Sequence, residues 1–169
     1  MLGIREYAYR FGNGFRVLNE EDLPKDEACT FKCEDDLKQM YGHRQQNYTY
    51  SLFAFPAEDN FAGVKYPLSW IQQVQDEYFH NGHKWLVLLD AAAFVPTNRL
   101  DLSLYKPDFV SMSFYKMFGF PTGLGALLIR NKNLDVMNKL YWGGGTVSMA
   151  SDKDHYCVFH VGSAREREA

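Results

Sequence analysis

The chain has 169 residues, 46% hydrophobic and 23% charged, which suits one globular domain with a buried core. Its 18 basic and 21 acidic residues leave a net charge of −3 and form no basic block able to track a phosphate backbone, so nucleic acid is not an expected partner. No apolar run approaches the roughly 20 residues that span a bilayer. The start Met1-Leu2-Gly3-Ile4-Arg5-Glu6 lacks the charged-then-apolar order of a secretion signal, so the expected setting is the cytoplasm, away from membranes.

Residues 1–47 mix a short strand at Phe15 to Leu18, an acidic, turn-rich linker at Asn19 to Glu27 and a marginal helix near Asp35 to Tyr41. Cys29, Cys33 and Cys157 make an odd number, and none has a partner at the C-x-x-C spacing, so no disulfide framework is expected. Cys29 and Cys33 with His43 downstream read as ordinary thiols rather than a metal site. His80, His83, His155 and His160 share no metal-ligand spacing either.

From Tyr48 to Phe55 an aromatic-rich run predicts a strand that Pro56 ends. Between Pro67 and Tyr78, Leu68, Ile71, Val74 and Tyr78 recur at helical spacing and predict a helix with one buried face. Pro67 suits its first turn and Asn81-Gly82 its C-terminal cap. Trp85 to Leu89 is apolar at successive positions, the pattern of a strand buried on both faces, and it stops at one acid, Asp90. Strands at Phe109 to Phe114 and Gly125 to Ile129 follow, then a helix-like stretch from Asn131 to about Leu140. Beyond Ala150 the chain reads as a frayed or disordered tail, which divides it into a domain at 1–150 and a tail at 151–169. Strands alternating with helices predict an α/β fold: a three-layer, mostly parallel sheet with covering helices and a ligand site beyond the carboxyl ends of the strands.

Asp90 stands between five apolar residues and Ala91-Ala92-Ala93, where an unpaired carboxylate is costly to bury. Lys116 follows the next apolar strand and precedes the turn-forming Gly119-Phe120-Pro121-Thr122-Gly123, so a second charge sits at the end of a neighbouring strand. Two accounts fit this spacing. One is a structural Asp–Lys ion pair. The other is a cofactor site, with Lys116 made nucleophilic by desolvation and Asp90 set against a ring nitrogen.

Leu89-Asp90-Ala91-Ala92-Ala93-Phe94-Val95-Pro96, Leu100-Asp101-Leu102-Ser103, Pro107-Asp108-Phe109-Val110 and Ser113-Phe114-Tyr115-Lys116 through Leu127, in that order, resemble the class V aminotransferase and cysteine desulfurase family. Phe53-Ala54-Phe55-Pro56-Ala57-Glu58-Asp59-Asn60, Tyr66-Pro67-Leu68 and Tyr141-Trp142-Gly143-Gly144-Gly145-Thr146-Val147 are most similar to its molybdenum cofactor sulfurase branch. The likeness runs from about residue 2 to residue 150. It implies part of the large domain of a fold-type I transferase that uses pyridoxal 5'-phosphate. Lys116 would hold the cofactor covalently and shuttle protons, Asp90 would meet the ring nitrogen, Ser113 the phosphate, and Asn60 the ring hydroxyl and substrate. Thr146, behind three glycines, would offer a further phosphate contact. Tyr115 stands where ordinary desulfurases have histidine and Ala93 where they have glutamine, so the ring hydroxyl is expected to be held differently here.

The implied reaction takes sulfur from L-cysteine and passes it, through an enzyme thiol, to the molybdenum cofactor; a homodimer is implied for a full-length member. The chain has no later Cys-x-Cys-like segment carrying the acceptor thiol, and Cys157 does not match it. It also lacks the family's earlier phosphate-cradling turn and its ring-stacking residue, so the chain alone is expected to be inactive. A non-catalytic fragment or pseudoenzyme that binds a partner, and another class V aminotransferase or lyase, remain as alternatives.

Overall fold

The computed structural model describes residues 4, 8–10, 17, 49–77, 83–119, 123–136, 147–153 and 156–159. The expected strand at Phe15 to Leu18, the helix near Asp35 to Tyr41, the cap at Asn81-Gly82 and the glycine run before Thr146 lie outside these residues, Val17 apart. The chain divides into two compact units, Met1–Ala126 and Leu127–Ala169.

In the first unit β1 (Thr49–Pro56) and β2 (His83–Asp90) run parallel, paired from Thr49 with His83 to Pro56 with Asp90. β3 (Phe109–Ser113) is parallel to β2, with Leu88, Leu89 and Asp90 opposite Phe109, Val110 and Ser111. The sheet order is β1-β2-β3-β4, with β4 at Gly125–Ile129. Phe53 and Phe55 of β1, Val87 and Leu89 of β2 and Val110 and Met112 of β3 alternate onto one face, where α1 (Trp70–Glu77) covers them with Trp70, Ile71 and Val74. Trp70 stacks at a tilt on Phe55, 5.6 Å between ring centroids, and on Tyr66 at 5.7 Å. The helical spacing of Ile71 and Val74 thus sets the face that burial selects. On β2 the expectation of burial on both faces holds for Leu86 as well, while Leu88 is half-buried.

Asp108 locks the amino end of β3. This 1% exposed carboxylate accepts the Val87 amide at 2.9 Å and the Gln75 side chain at 2.8 Å through Oδ2, joining β2, α1 and β3. Both bonds offset the cost of burying the charge.

Three elements differ from expectation. Phe114 does not end the strand; it opens a short helix, α2 (Phe114–Phe118), because the chain turns at Ser113 and the Phe114 amide bonds the Leu124 carbonyl instead of a neighbouring strand. The stretch from Asn131 is a 3-10 helix, Asn131–Val136, and 137–140 lie outside the described residues. In the second unit, β5 (Val147–Ala150) pairs antiparallel with β6 (Cys157–Phe159), where the polar run Ser151 to Asp154 suggested fraying. The Ser151 amide bonds the Tyr156 carbonyl at 2.9 Å, and the Lys153 amide bonds Ser151 Oγ at 3.2 Å. Among the described residues no helix is long and apolar enough to cross a membrane.

Candidate active site

Asp90 is the last residue of β2, and the alternation that sends Val87 and Leu89 toward α1 puts it on the opposite face. Its Oδ1 accepts the Ala92 amide at 3.1 Å and the Ser111 hydroxyl at 3.3 Å. Oδ2 receives no hydrogen bond from the described residues, so one oxygen is held and the other is open to a donor.

Lys116 lies in α2, directly beyond β3, and is half-buried. Its Nζ donates to Asn60 Oδ1 at 2.5 Å. Asn60 lies in the turn that follows β1. The strands behind these two residues flank β2 and stand about 10 Å apart at ordinary strand spacing. The Lys116–Asn60 contact therefore joins the loops on either side of the strand that Asp90 ends.

Ser113 closes β3 with extended backbone, φ −117 and ψ 114, and its hydroxyl makes no capping bond to α2, which leaves it available to a ligand. Tyr115 is 41% exposed, and no hydrogen bond ties it to another described site residue. Ala93 is half-buried in the turn after Asp90. Thr146 lies outside the described residues. The carboxyl ends of three parallel strands thus bring Asn60, Asp90, Ser113 and Lys116 to one end of the sheet.

Sequence reasoning overlooked Ser111, which orients the Asp90 carboxylate. Its signal was present: two serines, Ser111 and Ser113, alternate on an otherwise apolar strand and so share a face. Asn98 was also passed over. It joins Lys65 and Glu58 across the loops, and nothing in its local pattern marks it.

A family model described as Aminotransferase class-V matches residues 27–164. The chain belongs to this family. Class V aminotransferases are pyridoxal-phosphate-dependent enzymes, and the match extends past residue 150, where the motif likeness had stopped. The human molybdenum cofactor sulfurase is 56% identical over 100 residues, covering 57% of this chain and 11% of the relative. That of the silkworm Bombyx mori is 43% identical over 175 residues, covering 93% of this chain and 21% of the relative. The chain thus spans about a fifth or less of the curated relatives it matches. An apo cysteine desulfurase from Thermococcus onnurineus NA1 superposes with a TM-score of 0.57 at 24% identity, over 70% of this chain and 28% of that one. A cysteine desulfurase from Escherichia coli gives 0.56 at 23%, over 70% and 27%. This likeness shows the fold: a mostly parallel, helix-covered sheet, part of the large domain of fold-type I enzymes.

Proposed function

We propose that the chain is the cofactor-lysine region of a molybdenum cofactor sulfurase-like cysteine desulfurase, with L-cysteine as sulfur donor and the molybdenum cofactor as final acceptor. The observation that carries this reading is the meeting of Lys116 with Asn60 around a strand that ends in Asp90, whose Oδ2 is open. The residues fit pyridoxal phosphate. A protonated ring nitrogen is a donor for Oδ2, and an amine beside it suits an aldehyde.

Bound pyridoxal phosphate supplies an electron-withdrawing ring that takes up charge from the substrate α-carbon. Lys116 Nζ would hold the group and, as a free amine, would take up and return the proton of a substrate α-carbon. Asp90 Oδ2 would keep the ring nitrogen protonated, while Ser111 and the Ala92 amide fix Oδ1 and so aim the free oxygen. Asn60 Oδ1 orients the Lys116 amine before loading. The Ser113 hydroxyl, which makes no capping bond, would meet the phosphate, and Tyr115 would be a neighbour of the ring.

Incubating the chain with pyridoxal phosphate, reducing with borohydride and mapping the adduct by peptide mass spectrometry tests the assignment. The pyridoxyl mass is expected on Lys116 and on no peptide of Lys116→Ala. An adduct spread over surface lysines and indifferent to that substitution would overturn it.

A further inference from the structure

Asn60 rides on a hairpin of residues 57–66. Its legs pair at Glu58 and Lys65, and its base is closed by the Tyr66 amide on the Ala57 carbonyl at 3.0 Å. The tip is locked internally: Asp59 Oδ2 accepts the Phe61 and Ala62 amides, and the Asp59 amide bonds the Val64 carbonyl at 2.7 Å. These bonds act within the hairpin, whose base is seated on the core by buried Ala57 and by Tyr66 against Trp70. At the base one backbone bond reaches β2, from the Ala57 amide to the Asp90 carbonyl at 2.8 Å.

Nearer the tip, Asn98 bonds both legs. Its Oδ1 accepts from Lys65 Nζ at 2.8 Å, and its Nδ2 donates to Glu58 Oε2 at 3.2 Å, so one amide grips both legs. Asn98 is itself anchored. Its backbone amide and Nδ2 both bond the carbonyl of Phe94, a core residue, at 2.9 and 3.1 Å. The amide's orientation is dictated by chemistry, since an ammonium can only donate and a carboxylate only accept.

The geometry points to Asn98 as a positioning residue for the Lys116 site: it clamps the hairpin to the turn after β2 and so keeps Asn60 within reach of Lys116 Nζ. This rests on the reading of Lys116 and Asn60 as one site. Asn98→Asp preserves shape but sets a second carboxylate against Glu58 and releases that leg. The double variant Glu58→Gln/Asn98→Asp restores the contact to residue 58 with donor and acceptor exchanged, but not the side-chain bond to the Phe94 carbonyl, to which a carboxylate cannot donate.

The test is competitive labelling of the cofactor-free chain with acetic anhydride, read at Lys116 by mass spectrometry, with Lys84 and Lys106 as internal references. Loss of one hydrogen bond frees the amine by a factor of roughly three to ten. Asn60→Ala and Asn98→Asp are each expected to raise Lys116 labelling by about that factor, with the references unchanged, and the double variant to bring it part of the way back to the parent rate. Parent-like labelling in Asn98→Asp, a rise shared by the references, or a double variant no nearer the parent rate than Asn98→Asp would each overturn the positioning role. No change in Asn60→Ala would instead sink the underlying Lys116–Asn60 reading. Should Asn98→Asp fail to fold, Lys65→Met, at an exposed position, carries the test under the same expectations.

Discussion

The Ser111 hydroxyl donates to Oδ1 of Asp90 at 3.3 Å, so the strand beside β2 holds the carboxylate that ends it. One oxygen is thereby pinned and the other presented outward, a division of labour that neither residue achieves alone.

Removing that hydroxyl leaves the charge in place and loosens its aim. Ser111→Ala is expected to weaken pyridoxal phosphate binding by about 0.5–1.5 kcal/mol, the net worth of a neutral hydrogen bond. Asp90→Ala, which removes the charged acceptor, is expected to cost about 1.5–3 kcal/mol. Titration followed by cofactor absorbance checks both. Equal losses in the two variants would contradict the division of labour.

Asp108 governs folding and stands at the opposite end of β3 from Lys116. Asp108→Ala leaves the buried Val87 amide without its acceptor, and a stability loss of about 1–3 kcal/mol is expected in urea unfolding. Lys116 labelling in the folded fraction is expected to stay at the parent level.

Two glycines are required for different reasons. A Cβ at Gly125 would stand 2.6 Å from the Met112 carbonyl oxygen, a backbone atom that cannot swing aside. Gly119, after α2, has open space around it but takes φ 83 and ψ −150, a region closed to other residues. Alanine at either position is expected to cost about 1–3 kcal/mol. Thermal unfolding measures this, and Gly119→Asn is expected to recover little because ψ lies outside the left-handed helical region.

Acid acts on the loop after β2. The Ser103 hydroxyl, and then its amide, bond Asp101 Oδ1 and hold that carboxyl below the ordinary range. Because the folded value is the lower one, the stabilisation is whole above the unfolded value of about 4 and is lost as pH falls through the folded value. Ser103→Ala is expected to move the Asp101 titration upward in carboxyl NMR, toward the ordinary value. An unchanged midpoint would show that the hydroxyl contributes nothing.

Much of this architecture could be read from residue order, for reasons that are local. Five apolar residues closed by Asp90 define a central strand whatever surrounds it, and Ile71 and Val74 mark the covered face of α1. The Asp90 and Lys116 positions followed from charges placed where strands stop. What escaped depended on distant partners. Phe114 is as apolar as the strand before it, and only the Leu124 carbonyl explains why it turns away. Ser151 is polar enough to fray, yet its amide bonds the Tyr156 carbonyl next to two paired strands. Asn98 gains its role from Glu58 and Lys65, forty and thirty-three positions earlier.

The parallel register also governs when the site comes into being. Thr49 meets His83 and Leu88 meets Phe109, so neither of these two parallel ladders can form until a long crossover has closed, and such high contact order slows folding. In the proposed site Asp90 and Ser113 end these late-formed strands, and Asn60 and Lys116 lie just past them. Vitamin capture is therefore a reporter of maturation: during refolding, the adduct on Lys116 should rise with the last kinetic phase and not with collapse.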